Sequence, residues 1–160
     1  MKKDLSQALD AVEMTYGELK ETVADMINSC FAQLDEIVNN IGDINTLSND
    51  QIRNHMAKLA IATYSLGEIK EKAVLKAQCA EALRKETYAL KFSEAQGTIG
   101  AKETFAIIES AQETIAEALY DLISNLFKTK IDSAHRLIDA LKSILMSRMS
   151  EAKLSTINLD

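Results

Sequence analysis

Few of the chemically capable side chains in this chain stand at a spacing that chemistry can use. Its two histidines, His55 and His135, are far apart, and no histidine pair sits three or four residues apart on a helix. The zinc-protease pattern is therefore absent. Cys30 and Cys79 have no CxxC spacing, so buried free thiols in a reducing compartment are expected. Glu109, Glu113 and Glu117 repeat at i,i+4. A di-metal bundle would also need a glutamate three residues before a histidine, and neither histidine has one. The run QGTIGA at 96–101 contains no phosphate-binding glycine pattern, and no GxSxG nucleophile elbow occurs. These residues predict no enzyme, no metal and no cofactor.

The cations offer another chemistry. Lys70, Lys72, Lys76, Arg84, Lys85 and Lys91 fall in one segment; Lys128, Lys130, Arg136, Lys142, Arg148 and Lys153 fall in another. Lys72 and Lys76 are at i,i+4 and share a helical face. Such a strip can neutralise phosphates. Tyr88 and Phe92, also at i,i+4, could offer bases a stacking surface. The competing reading is an ordinary solvated face, because Glu71, Glu81 and Glu86 are interleaved with these cations.

The elements that carry these residues are helices. In 160 residues there is no proline and there are only five glycines, so few tight turns can be built. Alanine, leucine, glutamate and lysine are abundant, and they lose little entropy on entering a helix. The length suits a single domain. The charge alternates: 1–50 is net −7, 51–94 is +3, 95–125 is −4 and 126–160 is +2. Such blocks can pair between neighbouring helices or between subunits.

The periodicity predicts three long helices, over about 4–41, 50–95 and 101–154. The first has a near-heptad seam of Leu5, Leu9, Val12, Tyr16, Leu19, Val23, Met26, Cys30, Leu34, Ile37 and Ile41. Asn39, Asn40 and Gly42 should close it, and Ser48, Asn49 or Asp50 should cap the next helix. The second continues through Ile52, Met56, Leu59, Thr63, Leu66 and Ile69, with Gly67 a candidate kink. Its stripe then thins to Ala73, Leu75, Cys79, Leu83 and Leu90. Gly97 and Gly100 mark the next break. The third has Phe105, Ile108, Ile115, Leu119, Leu122 and Leu126, then, after a phase shift near 127–130, Ile131, Ala134, Ile138, Leu141, Leu145 and Met149. Unbroken, it would be about 80 Å long at 1.5 Å per residue. Either it breaks near 124–130, or the protein is elongated and oligomeric. The fold expected is all-α: an elongated antiparallel bundle with coiled-coil-like self-association. The absence of a signal-like apolar run or an 18-residue apolar stretch makes the cytoplasm the default location, with no membrane partner.

From Lys70 onward three stretches carry a resemblance: KEKAVLKAQCAEAL, then SEAQGTIGAKE at 93–103, then LFKTKIDSAHRLIDALKSILMSRMSE at 126–151. Together they resemble small helical phage proteins related to the UvsY recombination mediators. The resemblance covers just over half of the chain. It implies a homo-oligomer in a bacterial host that binds single-stranded DNA and helps to load a recombinase while displacing single-strand-binding protein. The family's DNA contact resembles a Leu-Lys-Ala-Arg run, matched here by Leu75, Lys76, Ala77 and Gln78, with Gln78 in place of the arginine. The alternative is a helical adaptor, or a phage-encoded inhibitor, that captures a protein through its acidic surface.

Overall fold

The computed structural model describes residues 21, 24, 25 and 27–157. Among these, all regular structure is helical and no strand occurs. Residues 27–39 form α1. A single 3-10 turn, Ile44–Thr46, leads to α2, Asn49–Glu94. Then come α3, Ile99–Glu109, and α4, Ala111–Ile157. The chain divides into two compact units. One holds residues 70–126 and the other residues 28–69 and 127 onward.

The boundaries follow local chemistry. Past α1, Gly42 adopts φ +59°, the left-handed conformation that lacks a Cβ penalty only in glycine. At the start of α2, the Gln51 N–H donates to Ser48 Oγ (3.2 Å) and the Ser48 N–H donates to Gln51 Oε1 (2.8 Å). This reciprocal capping box satisfies two orphan donors and selects Ser48 from the three candidate caps. Thr98 caps α3 by accepting from the Ala101 N–H. Gly67 produces no break, since α2 runs through it.

The third predicted helix is two helices. The break falls at Ser110, and α4 is continuous through 124–130. Ser110 is buried; its N–H donates to Ala106 O and its carbonyl accepts from the Thr114 N–H. The run Ser110-Ala-Gln-Glu113 has the S-x-x-E form of a helix start, so the signal was present in the sequence.

In the unit of 28–69 and 127 onward, the core is Leu34, Ile41, Ile52, Leu59, Ala62, Leu66, Phe127, Ala134, Leu141 and Leu145. The expected stripe of α2 up to Leu66 is therefore the buried one. The Phe31 and Phe127 rings meet at 5.0 Å, and Asp35 pairs with Lys130 three residues further along α4. These pairs advance together, so α1 and α4 run parallel here. Arg148 holds the connection after α1: its guanidinium donates to Leu47 O (2.6 Å), Asn45 O (3.1 Å) and Ile44 O (3.2 Å). No fixed spacing in the sequence links Arg148 to that turn. Of the predicted seam, Leu5, Leu9, Val12, Tyr16, Leu19, Val23 and Met26 lie outside the described residues.

In the unit of 70–126, α2 and α4 run antiparallel, since Lys76 meets Tyr120, Arg84 meets Glu117 and Thr87 meets Glu113. Its buried side chains are mostly small: Ala73, Ala77, Ala80 and Ala106, with Leu119 and Ile123. Two expectations are corrected here. Leu75, Cys79, Leu83 and Leu90 face outward, and the inner face of α2 is alanine. On α4, Leu122 and Leu126 are exposed, and the buried residues are Ile123 and Phe127, one position on. A one-residue step rotates a helical side chain by about 100°, enough to exchange inside for outside.

This phase has a measurable consequence. Phe127→Ala should cost about 3–5 kcal/mol of unfolding free energy, since it empties a fully enclosed site. Leu126→Ala should cost under about 1 kcal/mol. Urea denaturation of the two variants checks the ordering.

Candidate nucleic-acid interface on the basic helix

The six candidate cations of α2 do not form one free strip. Lys70 Nζ lies 3.0 Å from Glu71 Oε1, Lys85 Nζ 2.6 Å from Glu81 Oε1, and Lys91 Nζ 3.0 Å from Glu94 Oε2. Arg84 Nε donates to Glu117 Oε2 on α4 at 2.6 Å, with both side chains largely covered. Lys76 has no carboxylate partner among the described residues; its ammonium sits 5.3 Å from the centre of the Tyr120 ring. Lys72 is exposed and takes part in no ion pair among the described residues.

These contacts sort the cations by what holding them achieves. The Arg84–Glu117 bond joins two helices and is partly shielded from water, so it serves packing. Beside it, Thr87 Oγ1 donates to Glu113 Oε1 (3.1 Å), while Glu113 Oε2 is buried with no partner. The Lys70–Glu71, Lys85–Glu81 and Lys91–Glu94 pairs lie within α2, where solvent screening leaves such pairs little to contribute to stability. A phosphate can compete for such lysines. The hydrogen bond from Lys85 holds the Glu81 carboxyl below its ordinary value, and the bond to Glu94 holds the Lys91 ammonium above its own. The Glu81 contribution is therefore present at neutral pH and lost as pH falls below the usual carboxylate range, while Lys91 stays charged well into alkali.

The two candidate stacking rings lie side by side on α2. Tyr88 and Phe92 stack on each other with centroids 6.2 Å apart and planes 19° apart, and both are half-buried. The Lys102 ammonium lies 6.0 Å from the Phe92 ring centre. Each ring therefore has one face turned to the other, and the lysine lies near Phe92. In the second cationic segment, Lys130 and Arg148 serve packing as described above.

Among the described residues no group of three His, Cys, Asp or Glu could hold a metal ion. No helix among them is long and apolar enough to cross a membrane. The unit of 28–69 and 127 onward has a shallow cleft between α1 and α2 of about 340 Å³, lined by Glu36, Asn40, His55 and Lys58 among others. His55 Nδ1 is buried there without a hydrogen-bond partner. No serine, threonine, cysteine or tyrosine lines it. No protein-family model, no curated protein and no solved structure matches the chain.

The division among the cations is testable on stability alone. Arg84→Ala removes an interhelical bond and strands Glu117, so it should lower the unfolding free energy by about 1 kcal/mol, discounted for partial exposure. Lys72→Ala should change it by less than about 0.5 kcal/mol. Thermal melts followed by circular dichroism check both.

Proposed function

We propose that this chain is a non-enzymatic accessory protein of DNA recombination or replication. It works as a homo-oligomer on single-stranded DNA and assists recombinase loading. The observation that carries the assembly part is an inversion on α2: alanines are buried and Leu75, Leu83 and Leu90 are more than half exposed. A soluble helix that turns its large apolar side chains outward has a surface to cover. The DNA part is supported by the resemblance over residues 70–151 and by exposed lysines on the same helix. Among the candidate phosphate contacts, Lys72 and Lys76 hold no carboxylate among the described residues, Lys85 is exposed and held only by Glu81 on its own helix, and Arg84 is committed to Glu117 on α4.

A second reading is a protein-interaction module that captures another protein. It is favoured by Ile61 and Tyr64, which are 67% and 75% exposed on α2 in the other unit.

Fluorescence anisotropy with a labelled oligonucleotide separates the two readings. Lys76→Glu with Lys85→Glu should weaken binding at least about tenfold and flatten the salt dependence, whose slope on single strands is about −0.7 per phosphate neutralised. Arg84→Ala should leave that slope unchanged. Absence of binding by the intact oligomer at low salt excludes the DNA reading and leaves the interaction module.

A further inference from the structure

The outward stripe of α2 has a symmetry of its own. Reading along the exposed face gives Lys72, Leu75, Cys79, Leu83 and Glu86, all exposed and all in the 70–126 unit. Their steps are 3, 4, 4 and 3, a palindrome about Cys79. At about 100° per residue these five positions fall within one third of the helix circumference, centred roughly 130° from the alanine face. The composition is palindromic as well in its apolar part and complementary at its ends: leucine answers leucine, and lysine answers glutamate. Among the described residues neither Lys72 nor Glu86 has an ion-pair partner in its own chain.

A face with these properties complements its own two-fold copy. Laid antiparallel on a second α2 with the axis at Cys79, Leu75 meets the partner's Leu83, and Leu83 meets the partner's Leu75. Lys72 meets the partner's Glu86, and Glu86 the partner's Lys72. Cys79 meets itself on the axis. A two-fold interface requires this relation, in which residue i contacts j and j contacts i. A parallel pairing would set lysine on lysine and glutamate on glutamate, which is repulsive, so the charges also select the direction. We infer that residues 72–86 of α2 form an antiparallel homotypic interface, with a second copy of this chain as the occupant. Lys72 then serves assembly and is withdrawn from the phosphate contacts. The inference rests on the homo-oligomer part of the proposed function and is independent of its DNA part.

The experiment uses thiol cross-linking of the full-length chain with a short bis-maleimide, read on denaturing gels. Cys30→Ser should keep the covalent dimer and Cys79→Ser should lose it. In the Cys30→Ser background, Leu83→Asp, Lys72→Glu and Glu86→Lys should each reduce dimer yield at least about tenfold. The double variant Lys72→Glu with Glu86→Lys should restore it, because the charge pair is re-formed with its signs exchanged. Leu83 is exposed, so circular dichroism should show Leu83→Asp folded; Leu75→Asp is the second variant.

Four results overturn the inference: no dimer at any concentration, a dimer through Cys30 alone, a dimer indifferent to Leu83→Asp and Leu75→Asp, or no rescue by the double variant. If Leu83→Asp unfolds the chain without any dimer having formed, the stripe is covered from within the chain. Should the variant instead abolish capture of a recombinase while the chain stays monomeric, the occupant is that partner; either outcome also overturns the inference. Loss of oligonucleotide binding with the cross-link intact removes the DNA reading only.

Discussion

Much of this structure depends on which face of α2 turns inward. In the 70–126 unit that face is Ala73, Ala77 and Ala80, and small side chains let neighbouring backbones approach closely. The leucines of this stretch, Leu75, Leu83 and Leu90, then stand on the outside. Burying a leucine is worth about 1.5–3 kcal/mol relative to leaving it in water, so Leu75, Leu83 and Leu90 together leave several kcal/mol unclaimed within the chain. The same unit compensates through polar links between α2 and α4, chiefly Arg84 with Glu117 and Thr87 with Glu113. The other unit has larger enclosed side chains, with Phe127, Ile52, Leu59 and Leu141 fully buried. The α2 faces of the two units thus enclose different side chains, alanines in one and Ile52, Leu59 and Leu66 in the other.

That difference bears on function. A core whose α2 face is alanine, packed with Leu119 and Ile123 and tied by the Arg84–Glu117 bond, leaves the α2 leucines outside, which is what supports the assembly reading. The cations respond to the same constraint. Arg84 is drawn into the helix interface because the alanine face leaves room for a polar bond there. Lysines within α2 hold only surface carboxylates, which leaves them exchangeable. Basic content in a sequence therefore overstates the charge available to a ligand, and the ion-pair geometry decides which residues remain.

Legibility in the sequence follows the strength of the apolar period. The stripe from Ile52 to Leu66 is built of large residues at 3–4 spacing, and its burial was readable directly. Ser48 was among the candidate caps because its chemistry is local. The alanine face is not readable, because alanine and leucine both count as apolar and the larger residues carry the stronger periodic signal. Ile123 and Phe127 were missed by one position for a related reason: Leu122 and Leu126 form an equally spaced row beside them. Arg148 was invisible as a structural residue, since its three carbonyl partners lie about a hundred positions away in sequence. For the site, the positions of the lysines were legible, but their partners depended on contacts that no spacing rule supplies.

Whether the chain completes its apolar burial by assembling is tested most directly by sedimentation velocity of the unmodified protein over a wide concentration range. Assembly gives a species of at least twice the 17.7 kDa chain mass that dissociates on dilution. A single 17.7 kDa species at every concentration contradicts it.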